Sequence, residues 1–135
     1  MAATPGGSRW PGAVTARNGP RHALTSRLNV LPFDDGAGRA ALLTEILGRP
    51  LPATATLHPP FCTDHGLRID VGEHVFVNQG CTFYDQGGTA LGDGVLVGPR
   101  TSLISSDHPL AAPERADYVT RPRSPSRPGR GSARR

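Results

Sequence analysis

The sequence predicts an all-β solenoid, a parallel β-helix. The prediction rests on a six-residue repeat, its apolar first positions and its recurrent glycines. Three consecutive blocks fill residues 71–88, and three more fill residues 91–108 after a spacer, Thr89 and Ala90. The first position of every block is apolar, the second is Gly in three blocks, and the fifth is Val, Thr or Cys in four. A period of six fits neither a helix nor an ordinary strand, but it fits a short strand followed by a corner.

Equivalent positions of successive coils should stack, because three blocks make one coil. The repeat therefore predicts three stacked pairs: Val71 with Leu91, Val77 with Val97, and Phe83 with Leu103. We expect these first-position side chains to form an inner apolar column and Cys81, at a fifth position, to pack inward. The glycines suit the tight corners, where a Cβ would often be strained.

Composition divides the chain into four predicted segments. Residues 1–20, rich in Gly and Pro, are predicted to be disordered. Residues 21–50 are predicted to form a short helical region that packs on the β-helix. Residues 51–120 comprise an extended linker to Pro60, a partial first coil and the repeat, together an incomplete β-helix. Residues 121–135 form a basic, disordered tail without an apolar side chain larger than alanine.

Two short helices are predicted in the region 21–50. The first covers His22–Asn29. The second runs through Gly38–Leu47, is capped by Asp34 or Asp35, and is stopped by Gly48. Its apolar face consists of Leu42, Leu43, Ile46 and Leu47.

The charge distribution argues against a nucleic-acid-binding body. All 15 basic residues are Arg, and six of them lie in residues 121–135, which contain no acidic residue. Residues 1–120 therefore carry 9 basic and 11 acidic residues. The tail is basic and the body is not, so binding of nucleic acid by the tail would need only charge.

Cysteine usage and hydropathy indicate a cytoplasmic protein outside the membrane. Cys62 and Cys81 have no CxxC spacing, so neither a metal site nor a disulfide framework is expected. No apolar run approaches the roughly 20 residues that cross a bilayer, and the N-terminus lacks the apolar core of a signal peptide.

An ordered series of motifs resembles the maltose/galactoside O-acetyltransferases, which are hexapeptide-repeat acyltransferases. The helical region 21–50 is similar to the N-terminal region of that family, and the resemblance covers roughly residues 21–122. The motifs are Leu57-His-Pro-Pro-Phe61, Asp64-His-Gly66, Ile69-Asp-Val-Gly-Glu73, Phe76-Val-Asn78, Leu91-Gly-Asp-Gly-Val-Leu-Val-Gly-Pro99 and Asp107-His-Pro-Leu110. The resemblance implies a left-handed β-helix, a homotrimer, and transfer of an acetyl group from acetyl-CoA to a sugar hydroxyl.

The resemblance also implies roles for five residues. His108 matches the catalytic base, and Asn78 matches a residue that contacts the acceptor and supports the transition state. Asp85 and Asp64 match acceptor contacts, and Phe76 matches an aromatic residue that lines the acceptor pocket. A neutral imidazole is a suitable base for a weakly nucleophilic hydroxyl, and an Asn amide can donate to the developing oxyanion.

Each of these residues also has a structural alternative. His108 could be a surface residue, and Asn78 could form a ladder at a corner. Asp85 and Asp64 could stabilise turns instead of contacting sugar. No Cys or Ser has a paired base, so a direct transfer is expected rather than an acyl-enzyme.

The chain departs from the family after about residue 122, where relatives continue with further coils that complete the acetyl-CoA groove. The Arg/Pro/Ser/Gly tail is the product expected from a frameshift or truncation in a GC-rich gene. No acetyl-CoA contact is matched. The alternative to an active acetyltransferase is therefore a non-catalytic β-helix fragment that lacks the coils binding acetyl-CoA.

Overall fold

Short parallel strands follow two helices along the chain. The computed structural model describes residues 8–9, 12–107, 110 and 118–119, and the side chains of residues 21–107 and 110. The helices are α1 (Gly12–Asn29) and α2 (Gly36–Leu47). The strands are β1 (Ser8–Arg9), β2 (Thr56–Leu57), β3 (Phe61–Thr63), β4 (Ile69–Val71), β5 (Phe76–Val77), β6 (Cys81–Tyr84), β7 (Thr89–Leu91), β8 (Leu96–Val97), β9 (Ser102–Ile104) and β10 (Tyr118–Val119).

Strands β2 to β9 are distributed in turn over three parallel sheets, so that every third strand along the chain belongs to the same sheet. The sheets contain β2-β5-β8, β3-β6-β9 and β4-β7, while β1 and β10 form a separate antiparallel pair. Strand partners lie 20 residues apart in the sequence, as Leu57, Val77 and Val97 do. All three predicted stacked pairs are confirmed: Val71 with Leu91, Val77 with Val97, and Phe83 with Leu103.

Two details of the predicted repeat are wrong. Thr89 and Ala90 are not a spacer, because they belong to β7 and pair with Ile69 and Asp70. The extra residues lie instead in the turn before β7, and an equivalent turn at residues 64–68 precedes β4. The predicted linker also contains β2, so the first coil begins before Phe61. Its two-residue strand among prolines shows no alternation by which the sequence could reveal it.

The inner faces of the sheets form the apolar core. Val77, Phe83 and Cys81 are buried, and the Phe61 and Phe83 rings meet edge to face with centroids 5.2 Å apart. The Cys81 thiol donates to the Gly98 carbonyl oxygen at 3.3 Å, which confirms its predicted role in packing. Inward side chains at equivalent positions of neighbouring strands therefore stack on one another within each sheet, as the repeat predicts.

Helix α2 has the predicted caps and apolar face. The Asp35 carboxylate accepts from the Gly38 backbone N–H at 2.8 Å, and Gly48 ends the helix with a φ of 73°. Its four predicted apolar residues, Leu42, Leu43, Ile46 and Leu47, are buried.

Helix α1 is longer than the predicted His22–Asn29 segment. It begins at Gly12 and continues through Gly19 and Pro20, although residues 1–20 were predicted to be disordered. Residues 1–7 and 10–11 of that segment and the whole tail 121–135 lie outside the described residues. Neither helix, within the described ranges, combines the length and apolar character needed to cross a bilayer.

The C-terminal end of α1 closes the first coil. Asn29 donates from Nδ2 to the Phe61 carbonyl oxygen at 2.9 Å and accepts at Oδ1 from the Phe61 N–H at 2.8 Å. The side-chain amide thus imitates a neighbouring strand and satisfies both backbone groups of Phe61. Nearby, Arg21 donates to the carbonyl oxygens of Glu45 and Ile46 at 2.6 and 2.7 Å, which joins α1 to the end of α2.

We expect Asn29→Ala to lower the free energy of unfolding by about 1–3 kcal/mol, because both Phe61 backbone groups lose their partner. Urea unfolding followed by circular dichroism measures the change. Ser26→Ala is the matched control, since the Ser26 hydroxyl bonds only to the His22 carbonyl oxygen within the same helix. Equal midpoints for the two variants would contradict the role of Asn29 as a strand substitute.

Candidate functional site

Two of the predicted site residues, Phe76 and Asn78, lie on the outer face of the sheet β2-β5-β8. Val77 between them is buried, whereas both flanking side chains are partly exposed. Successive side chains of a strand point to opposite faces. The structure therefore brings these two residues to one surface, as a shared site requires.

His58 is the neighbour of Asn78 on the preceding coil. The His58 N–H donates to Val77 O and the Asn78 N–H donates to Val97 O, both at 3.0 Å. These equivalent hydrogen bonds put the two residues in the same position of adjacent strands, with backbones about 4.8 Å apart. No local motif marks His58 as a site residue, because the 20-residue spacing is not visible in the sequence as far back as β2.

Three aromatic rings form a row beside Asn78. The His58 ring lies between Phe33 and Phe76, with centroid separations of 5.4 and 5.2 Å, and both contacts are edge to face. The Arg39 guanidinium lies 5.4 Å from the centroid of the Phe33 ring. Phe33 and Arg39 come from the α1–α2 connection and α2, far from β5 in sequence, so no local motif could have revealed the row.

The Asn78 side chain is oriented by a hydrogen bond within the turn that follows β5. Its Oδ1 accepts from the Gln79 N–H at 2.8 Å. This contact fixes which side of the amide carries the oxygen and leaves the nitrogen as the side that can donate. Asn78 thus has both the corner role and the geometry of a potential hydrogen-bond donor.

Asp85 lies at a different corner, where it organises the preceding coil. The side chain is 0% exposed. Four donors from residues 63–68 reach its carboxylate at 2.8–3.1 Å: the Thr63 hydroxyl and the backbone N–H groups of His65, Gly66 and Arg68. These contacts support the turn alternative, and no surface of this carboxylate faces solvent.

Asp64 is the partner of Asp85 at that corner. Its Oδ1 accepts from the Asp85 N–H at 2.9 Å, and the two carboxyl groups are hydrogen-bonded to each other. Gly66, with a φ of 82°, lies so close to the Ile46 carbonyl oxygen that a Cβ would clash with it. The corner is therefore packed tightly against the end of α2.

The two carboxyl groups have opposite pKa shifts. Burial and the hydrogen bond to Asp85 raise the pKa of Asp64 from 3.8 to about 6. Burial alone would raise the pKa of Asp85 too, but hydrogen bonds from Asp64, Gly66 and Thr63 outweigh it and hold that pKa below its ordinary value. Below about pH 6, Asp64 therefore keeps its proton and donates a hydrogen bond to the ionised Asp85 carboxylate.

A cleft of ≈ 280 Å³ lies between α2 and residues 50–57. Arg39 belongs to both this cleft and the aromatic row. Apart from Arg39, its lining contains no charged side chain, and its polar groups include the hydroxyls of Thr44 and Thr56. The cleft provides no general base. Across the part of the chain with described side chains, no three His, Cys, Asp or Glu residues are grouped to hold a metal ion.

Comparisons with known proteins give matches to curated sequences and to solved structures. No protein-family model matches the chain. It is 37% identical over 87 residues to nodulation protein L of Rhizobium meliloti (strain 1021), a match that covers 64% of this chain and 47% of that protein. It is 40% identical over 63 residues to the sophorolipid acetyltransferase of Starmerella bombicola, a match that covers 47% of this chain and 24% of that protein. The chain thus spans less than half of the length of each of these two relatives.

Solved structures agree with the sequence matches. A hexapeptide-repeat-containing acetyltransferase of Vibrio cholerae aligns over 83% of this chain and 63% of its own, with a TM-score of 0.72 and 27% identity. Its complex with acetyl-CoA aligns over 77% of this chain and 55% of its own, with a TM-score of 0.67 and 29% identity. The chain is thus similar to hexapeptide-repeat acetyltransferases and spans 63% and 55% of these two solved chains.

The predicted site residues within the described part of the chain fall into two groups. Phe76 and Asn78 share the outer face of one sheet, and Asp64 and Asp85 share a corner that follows strands of another sheet. His108 lies outside the described residues, which end their continuous run at Asp107.

The raised pKa of Asp64 predicts that the free energy of unfolding depends on pH in an unusual way. Between about pH 4 and pH 6 the folded protein keeps the Asp64 proton, whereas the unfolded chain has lost it, so the free energy of unfolding should fall by roughly 1–3 kcal/mol across this window. The depressed pKa of Asp85 acts in the opposite sense, and only below about pH 4.

Urea titrations at several pH values would measure how the free energy of unfolding changes with pH in the native sequence and in Asp64→Asn. The neutral amide of this variant can still donate a hydrogen bond to Asp85. Glu45→Gln, at an exposed carboxyl on α2, is the control. The Asp64→Asn variant should lose the decline between pH 4 and pH 6, and the control should retain it. The same slope in both variants would show that Asp64 is not the responsible group.

Proposed function

We propose that this chain forms coils of a left-handed parallel β-helix and transfers an acetyl group from acetyl-CoA to a hydroxyl of a sugar acceptor. The observation that carries the proposal is the presence of the Phe76 ring and the Asn78 amide on one outer face, on either side of the buried Val77. Apolar ring surface next to hydrogen-bonding groups suits a pyranoside, which has apolar C–H faces and polar edges. The acetyltransferase relatives, one of which is named for a glycolipid, support the same reaction class.

In the proposed reaction His108 acts as the general base. It takes the proton from the acceptor hydroxyl as the oxygen attacks the carbonyl carbon of the thioester. Collapse of the tetrahedral intermediate breaks the C–S bond, and the proton passes from His108 to the departing thiolate. The Asn78 amide nitrogen donates to the oxygen that carries negative charge in the intermediate.

Direct transfer is consistent with the environment of the cysteines. Cys81 is buried, and its thiol is engaged with the Gly98 carbonyl oxygen. Cys62 is exposed, and it lies on β3 away from the face that carries Asn78. Neither position supports a thiol nucleophile facing Asn78, so the acceptor oxygen itself attacks in the proposed mechanism.

The second group of predicted site residues has a supporting role in this proposal. Asp85 and Asp64 hold the two turns that follow β3 and β6 by accepting backbone N–H groups, as their contacts indicate. Phe76 lines the acceptor site directly, with its ring against His58.

We also propose assembly as a homotrimer. Leu96 and Ile104 are 77% and 65% exposed on β8 and β9, at the C-terminal side of the described coils. Large apolar side chains on adjacent outer faces form the kind of patch that association covers. Analytical ultracentrifugation would measure the state directly.

Release of free thiol from acetyl-CoA in the presence of maltose or a galactoside tests the reaction. We expect His108→Ala to lower the rate by about 100-fold or more, because the hydroxyl loses its base. Asn78→Ala should lower it by about 100-fold through loss of the donor. His22→Ala, at an exposed position on α1, is the matched histidine control and should retain full activity.

Two outcomes would contradict the proposal. An unchanged rate in His108→Ala would remove the base from the mechanism. A folded native chain without any turnover would favour the alternative, a non-catalytic β-helix fragment.

A further inference from the structure

The row formed by Phe33, His58 and Phe76 extends beyond the reacting position. Only Phe76 and Asn78 are needed to orient one sugar ring next to the base in the proposed reaction. His58 and Phe33 continue the row by two ring-to-ring steps of 5.2 and 5.4 Å. The ring surface therefore leads away from Asn78 across β2 toward the connection between the helices.

Phe33 is fixed even though it is 60% exposed. The Arg39 Nη1 donates to the Phe33 carbonyl oxygen at 2.8 Å, while the guanidinium lies over the Phe33 ring. The Asp35 N–H donates to the Pro32 carbonyl oxygen at 3.0 Å and tightens the same turn. An exposed aromatic side chain held in this way costs little conformational entropy when a ligand covers it.

The groups along the row match a chain of pyranose rings rather than a purely apolar partner. Aromatic faces attract the slightly positive C–H groups of a pyranose, and the edges of the row carry hydrogen-bonding groups from His58, Asn78 and Arg39. A protein partner that buried Phe33 would also have to cover the Arg39 guanidinium, whose remaining N–H groups would then need acceptors. Sugar hydroxyls and water provide such acceptors.

We propose that Phe33 and His58 form a second sugar subsite, so that the site selects acceptors with at least two pyranose rings. The reacting ring lies at Phe76 and Asn78, and the next ring covers His58 and Phe33. This inference rests on the acceptor site proposed above, but it concerns binding and can be tested without acetyl transfer.

The test is ligand binding by the full chain, followed by NMR. Titration with maltose should shift the backbone amide signals of Phe33, His58 and Asn78, whereas methyl α-D-glucopyranoside should shift Asn78 and leave Phe33 unchanged. Phe33→Leu should weaken maltose binding by about 3- to 10-fold and leave the affinity for methyl α-D-glucopyranoside unchanged. His58→Gln should act in the same direction.

Tyr84→Leu is the matched control, because Tyr84 is a partly exposed aromatic residue on a different sheet. It should bind both sugars as the native chain does. Circular dichroism spectra of the variants that overlay the native spectrum would show that Phe33→Leu acts locally, which its exposure leads us to expect.

The outcomes separate this inference from the proposed reaction. Selective loss of maltose affinity in Phe33→Leu supports the subsite even if the chain releases no thiol from acetyl-CoA. Equal affinity for the two sugars, with turnover intact, overturns the subsite and leaves the reaction standing. Signals of Phe33 and His58 that respond to protein concentration but not to maltose would also overturn it, since the row would then be covered by a second copy of the chain.

Discussion

The fully buried Asp85 carboxylate is the interaction on which the rest of the structure depends. It accepts hydrogen bonds from one hydroxyl and three backbone N–H groups of the turn 63–68, one coil earlier. Without this acceptor, those N–H groups would lose their hydrogen-bond partner in a turn where Gly66 packs against the end of α2. Because Asp85 and the turn it holds are about 20 residues apart, the same carboxylate also fixes the spacing between successive coils.

That spacing determines which side chains become available for chemistry. Packing dictates the inner residues of each strand, so Val77 and Phe83 have little freedom to vary. Side chains on the outer faces are not constrained by the core, and residues that are 20 positions apart in the sequence lie side by side on these faces. His58 and Asn78 are adjacent because they are 20 residues apart and occupy the same position of neighbouring strands.

The inner column could be predicted because it is periodic, and periodicity is visible in a single sequence. The caps of α2 were equally predictable, since Asp35 and Gly48 act within one turn of the helix. The turn 64–68 was not, because its length follows from the burial of Asp85, which appears only when the coils are superposed. Phe33 and Arg39 escaped detection because they join the site across the gap between helices and strands. The early start of α1 has no local signal, since Gly19 and Pro20 normally interrupt a helix.

Asn29 gives the stack of coils a direction. By occupying the hydrogen-bonding groups of Phe61, it denies the N-terminal face of the β3-β6-β9 sheet to any foreign strand at that point. A foreign strand therefore cannot pair with Phe61 on the N-terminal side of this sheet, whereas β9 is its other edge strand. An engineer who wished to lengthen the protein could duplicate a 20-residue cassette such as 69–88, which carries its own Asp85, while the lid formed by α1 stays untouched.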